Sequence, residues 1–215
     1  TALGATFNSN VGIGGDPVNG TNFIDGLNGL VIGYYILSLS ILLIFILNKN
    51  ISYDYSLLIT LMMILVINFP FNLFGKNFLG DSGSYLVAFI VGYVFVDFYI
   101  SHSEISALFI VTLLWYPAFE NLFSIVRKKI GKTNPSKPDT NHIHQLIFKF
   151  FMLKFKNKKK TNIISSLIIN FYNLLVFFVA YYLFNSSIGL TVLLLINAIL
   201  YTYCYLFLLK KINHL

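Results

Sequence analysis

The chain has 215 residues, of which 57% are apolar and only 11% charged, and its mean hydropathy is +0.75. That composition excludes an ordinary water-soluble domain, in which about a quarter of the residues carry charge, and it excludes disordered and fibrous chains. The formal net charge of +7 is gathered beside an apolar run with no aromatic stacking platform, which argues against nucleic acid as a partner and for membrane lipids or a phosphorylated substrate.

Cys204 is the single cysteine and lies inside an apolar run, so neither a disulfide framework nor a cysteine metal site is available. The chain starts at Thr1, and residues 1–15 lack the basic-then-apolar order of a signal peptide. A truncated start is the expectation.

A bilayer core of about 30 Å takes about 20 helical residues to cross. Six apolar runs meet or approach that length, at approximately 29–47, 55–74, 85–100, 105–125, 163–184 and 188–209. They predict an all-α, polytopic membrane helix bundle forming a single membrane domain over 1–215. The third run is short, and Pro117 in the fourth predicts a kink. Eleven of the fifteen Lys and Arg residues lie between Arg127 and Lys160. Cytoplasmic loops retain such cations, so 126–162 is placed inside the cell, and parity puts 1–28, 75–84 and the tail with Lys210 and Lys211 on the same side. The loops near 48–54, 101–104 and 185–187 then face outward with one cation among them, Lys49.

Three polar clusters fall on the inner side: NGTNFIDGLNGL at 19–30, GKNFLGDSGS at 75–84 and KPDTNHIHQL at 137–146. In the first, Asn19, Asn22, Asp25 and Asn28 recur every three residues and form one polar stripe if helical. Capping of the next helix by Asp25 or Asn28 accounts for only part of that stripe. In the second, Asp81 stands between Gly80 and Gly83, where a carboxylate can reach a large ligand and ligate Mg2+ bridging to phosphate, or simply cap the helix that follows. Lys76 supplies a cation for phosphate charge or marks the inner face. In the third, His142 and His144 flank Ile143 behind Pro135, Pro138 and Asp139. No further zinc ligand stands nearby, so imidazoles serving phosphate are favoured over a metal pair.

The patterns NxxNxxDGLNGL, KxFLGDSGS and PDxxHIHxL, in that order, resemble the polyprenyl-phosphate N-acetylhexosamine-1-phosphate transferases, the MraY/WecA-like family, over about residues 19–146. The H-x-H form after PD is closer to the WecA/TagO branch. The resemblance implies an inner-membrane enzyme that uses Mg2+ to move a sugar 1-phosphate from a UDP-N-acetylhexosamine to polyprenyl phosphate, releasing UMP. It implies that Asp81 ligates Mg2+, that Phe78 stacks on the uracil, that Asn22, Asp25 and Asn28 line the nucleotide pocket, and that His142 and His144 sit at the edge of the site.

Three departures accompany it. Asn28 stands where most relatives have Asp, Gln145 replaces a frequent third His, and neither a paired-Asp motif nor a clear span precedes residue 19. The chain is accordingly expected to be the carboxy-terminal portion of a longer enzyme, inactive alone; a homodimer is compatible with it. The competing expectation is a non-catalytic or transporter-like bundle, for which Asp97 and Glu120 are the only ionisable residues within the runs, both near run ends.

Overall fold

The computed structural model describes residue 21 and residues 24–130 and 141–213, which form eight helices and no strand. These are α1 (Leu30–Asn48), α2 (Ser56–Leu73), α3 (Gly80–Ser101), α4 (Ala107–Leu113), α5 (Trp115–Ile130), α6 (Ile143–Phe155), α7 (Lys158–Tyr182) and α8 (Ser187–Asn213). Asn19, Asn22, Pro135, Pro138 and Asp139 lie outside the described residues. Helices α1, α2, α3, α7 and α8 are each long and apolar enough to cross a membrane, and α4 with α5 make a sixth unit bent by 76°. The protein is a polytopic membrane helix bundle.

α1 is the axis of the bundle. Its 19 residues rise about 28 Å at about 1.5 Å each, the thickness of a bilayer core. It packs chiefly on α2 and α7, burying Tyr34, Tyr35, Leu39, Leu42 and Phe45 completely. Phe45 meets Phe109 at 5.0 Å and Phe184 at 4.9 Å, which ties α1 to α4 and to the end of α7. Its hydroxyls stay internal: Ser40 bonds the Ile36 carbonyl at 2.6 Å, so the polar atoms add no exposed donor to the lipid side.

The fourth span breaks at Leu114, where Pro117 was expected to kink it: proline offers no N–H to the carbonyl four residues earlier, that of Leu113, and its ring crowds it. Pro117 falls in the first turn of α5, a position where a missing N–H is tolerated. The break frees the Leu113 carbonyl and the Tyr116 N–H, and one side chain from α1 serves both. The Tyr34 hydroxyl donates to Leu113 O at 3.0 Å and accepts from Tyr116 N at 3.4 Å.

Two differences from the sequence reading concern helix limits. α3 begins at Gly80, so the GDSGS segment is its first turn and not a preceding loop. Within the expected inner loop 126–162, α5 runs on to Ile130, α6 forms, and α7 starts at Lys158. α6 is short and mixes Phe with Lys, so no 20-residue apolar run announces it. Asp97, near the end of α3, accepts from Tyr53 of the α1–α2 connection at 2.9 Å, a tie between that connection and α3.

Tyr34→Phe leaves both groups at the break buried and unpaired, which costs about 1–3 kcal/mol. Thermal unfolding in detergent is expected to show the loss, and an unchanged midpoint would remove Tyr34 from this role.

Candidate active site

The turn that precedes α1 is built from polar side chains of other helices. Gly29 is the N-cap of α1 at φ 78°, a left-handed conformation that favours glycine, and no side chain caps the helix. Neither Asp25 nor Asn28 therefore spends itself on capping. The Gly29 N–H donates to Asn72 Oδ1 at 2.7 Å, the Gly29 carbonyl accepts from Asn170 Nδ2 at 3.0 Å, and the Asn28 N–H donates to Asn162 Oδ1 at 2.9 Å. Asn72 comes from α2; Asn162 and Asn170 come from α7. Asn72 also donates to the Asn77 carbonyl at 3.2 Å, which fixes the α2–α3 connection against the same turn.

A cavity of about 360 Å³ opens between turn and connection, lined by Asp25, Gly26, Leu27, Asn28, Asn72, Phe78, Gly80 and Asp81. The first two polar clusters thus meet. Asp81 is exposed in the first turn of α3, where the helix dipole favours a carboxylate. Leu79, not Asp81, takes the N-cap position. Phe78 is 76% exposed, an aromatic face held open at the cavity rim. Lys76 is exposed and is not among the lining residues.

The Asp25 carboxyl is pushed up from 3.8 to about 6, first by burial and second by the nearby charge of Asp81. Asp25 and Asp81 around one cavity place two carboxyl groups where a cation can bind. Among the described residues no three His, Cys, Asp or Glu converge into a metal cage. Mg2+ does not need one: it is held by one or two carboxylates, with water and substrate phosphates completing its shell. The donor set fits that ion.

The third cluster joins from behind. His144 is fully buried and packs on Gly26, where a Cβ would collide with its Nε2. Neither of its ring nitrogens has a hydrogen-bond partner among the described residues. Burial lowers its pKa to about 4, so of the neutral and protonated forms open to it the ring takes the neutral one. His142 is 4% exposed and stacks on His144, with centroids 5.6 Å apart and planes 12° from parallel. Gln145 reaches back to the His142 N–H at 3.4 Å, giving this departure from the family pattern a helix-capping use. Glu120, which sequence reading left as a residue near the end of its run, accepts from His142 Nδ1 at 2.8 Å. Its one signal was an acid in an otherwise apolar span, where burial requires a partner.

Residues 13–99 match the family model described as glycosyl transferase family 4, a stretch that includes both acid clusters. Over that stretch the chain is similar to glycosyl transferase family 4. Among curated family members, it is 29% identical over 138 residues to a probable undecaprenyl-phosphate N-acetylglucosaminyl 1-phosphate transferase of Bacillus subtilis, covering 61% of this chain and 37% of that protein. It is 32% identical over 131 residues to the undecaprenyl-phosphate alpha-N-acetylglucosaminyl 1-phosphate transferase of Thermotoga maritima, covering 60% of this chain and 38% of that protein. The match therefore spans well under half the length of either relative. No solved structure matches the chain.

Gly26→Ala is expected to lower the unfolding midpoint, and His144→Ala in the same background to restore part of it, with a coupling of about 0.5–3 kcal/mol. Strict additivity of the two changes would separate the histidine segment from the turn.

The raised Asp25 pKa makes the folded state bind the proton more tightly than the unfolded chain, so this group's stabilisation is complete below 3.8 and lost as pH rises through about 6. Asp81→Asn should lower the Asp25 midpoint while leaving it above 3.8, because burial, the larger cause, remains. Infrared titration of isotope-labelled aspartate measures it; an unmoved midpoint would deny the two carboxyls a common field.

Proposed function

We propose that the chain is part of an enzyme that transfers N-acetylhexosamine 1-phosphate from a UDP-sugar to undecaprenyl phosphate, releasing UMP and starting a cell-envelope glycan. The observation that carries the reading is the single cavity shared by Asp25, Asn28, Phe78 and Asp81 at one end of a membrane bundle. The family and the printed names of the two relatives support it. A reaction between a water-borne nucleotide sugar and a membrane-borne phosphate requires a polar site at the bilayer edge.

In this reading the cavity faces the cytoplasm of the inner membrane, supported by the concentration of cations between Arg127 and Lys160. The exposed Phe78 ring stacks on the uracil, a contact worth about 1–3 kcal/mol for a base on an aromatic ring. Asn28 offers the nucleotide a donor and an acceptor. Asp25 and Asp81 hold Mg2+, which supplies charge screening between two anionic substrates.

An oxygen of the lipid phosphate attacks the phosphorus that bears the sugar, the bond from that phosphorus to the oxygen bridging to UMP breaks, and UMP leaves with the electron pair. A phosphate monoester with a second pKa of about 6 is already largely dianionic at neutral pH, so the attacking oxygen needs no strong base. Alignment and charge stabilisation dominate.

The complete gene product, supplied with UDP-N-acetylglucosamine, a short polyprenyl phosphate and Mg2+, is expected to release UMP. Asp81→Asn should lower that rate by about 100-fold or more without unfolding the protein, since the side chain is exposed. Phe78→Ala should raise KM for the UDP-sugar by about tenfold and leave the lipid KM unchanged. Normal turnover by Asp81→Asn at saturating Mg2+ would remove the cavity from the chemistry.

A further inference from the structure

Gly26 and Leu27 line a second cavity besides the acid one. It measures about 310 Å³ and is walled by Gln145, Phe148 and Lys149 of α6 and by Lys158 and Asn162 of α7. Among these described residues none is acidic, and the lysines bring cations from two helices to one opening. Lys158 is exposed at the start of α7. Lys154 and Lys160, close by in sequence, instead stand over the Phe155 ring, 5.9 and 5.2 Å from its centroid, and are not among the lining residues.

The two amides give the cavity its chemistry. An amide is planar, with an oxygen that accepts and an NH2 that donates twice. The Gln145 oxygen accepts from the His142 N–H at 3.4 Å, and the Asn162 oxygen accepts from the Asn28 N–H at 2.9 Å. A backbone N–H only donates, so these bonds settle which end of each amide is the oxygen. Each oxygen is thereby taken by the chain itself, and neither NH2 has a hydrogen-bond partner among the described residues. What remains for a ligand is hydrogen-bond donors and positive charge, the complement of an anion with several acceptor oxygens. Leu27 and Phe148 place an apolar wall beside them, which suits an anion carried on a hydrocarbon chain better than a free ion in water.

We propose that this cavity binds the phosphate of a membrane lipid, with Gln145, Lys158 and Asn162 as donors and Lys149 adding charge beside them. Neither Asp25 nor Asp81 lines it, so the site stands without the transferase reading. That reading supplies one of the lipids that carry such a phosphate, the polyprenyl acceptor; the other is an anionic phospholipid.

The complete gene product, stripped of lipid in an uncharged detergent, tests this by native mass spectrometry. The probes are phosphatidylglycerol, decaprenyl phosphate and their phosphate-free counterparts, diacylglycerol and decaprenol. At least one phosphate-bearing lipid should bind about tenfold or more tighter than its counterpart. Gln145→Glu and Asn162→Asp keep the oxygen that holds the backbone N–H and put a repelling carboxylate oxygen in place of the NH2, so affinity for that lipid should fall about tenfold or more. Lys158 is exposed, so its variant probes the site in a folded protein. Lys158→Ala should weaken binding about fivefold, and Lys159→Ala, which removes the same charge next to the cavity without lining it, less than about twofold.

Loss for phosphatidylglycerol alone assigns the site to a phospholipid headgroup, loss for decaprenyl phosphate alone to the acceptor, and loss for both to the phosphate they share. Affinities untouched by the substitutions at Gln145, Lys158 and Asn162 would overturn the site. Equal losses in Lys158→Ala and Lys159→Ala would overturn it in favour of diffuse attraction to a basic loop. A protein that binds phosphatidylglycerol through these residues and releases no UMP would sink the transferase reading and keep the site; UMP release with lipid affinities unmoved would do the reverse.

Discussion

A chain that interrupts its helices next to or within lipid must return every freed N–H and C=O to a partner, because no water is there to take them. Here α1 and its neighbours meet that demand at both interruptions. Tyr34 of α1 bonds the two backbone groups released at Leu114, and Asn72 and Asn170 bond the two backbone groups of Gly29 at the start of α1. Each bond is made by a side chain from a different helix, so the irregular segments exist only when the bundle is assembled. Local structure at the breaks and tertiary packing are one event.

That coupling is what shapes the acid cavity. Asn162 and Asn170 from α7 and Asn72 from α2 grip a turn of five residues, and Asn72 carries the grip on to the connection before α3. Asp25 and Asp81 arrive from segments 56 positions apart in number, brought beside one another against their own repulsion. Folding energy from apolar burial along α1 is what opposes that repulsion, and the raised pKa of Asp25 is its visible trace.

The broad architecture was legible in the sequence because a bilayer imposes a length: runs of about 20 apolar residues bounded by Gly, Asn and Lys can do little else. The acid clusters were legible because polar residues at span ends lack a packing reason. What escaped reading depends on contacts distant in sequence. The bend at Leu114 was legible from Pro117, whose ring leaves the Leu113 carbonyl without its helical N–H, but its repair by Tyr34, 79 positions from Leu113, was not. α6 is too short and too mixed to register as a span. His142 and His144 read as imidazoles serving phosphate at the edge of the site; that Glu120 and Gly26, from two other parts of the chain, pack against them was not legible. Gln145 looked like a lost histidine, whereas its reach to the His142 N–H is visible only once the helix limit is known.

The bond from the Gly29 N–H to Asn72 also bears on chemical ageing. Asn28 precedes a glycine, the pairing most prone to spontaneous deamidation, in which the following backbone nitrogen attacks the side-chain amide and closes a five-membered imide. The attacking atom here is the Gly29 nitrogen, engaged at 2.7 Å by Asn72 and locked at φ 78°. Held there, it lacks the freedom to swing onto the Asn28 carbonyl. The contact that shapes the turn therefore also opposes conversion of Asn28 to aspartate, and with it the extra negative charge beside Asp25 and Asp81.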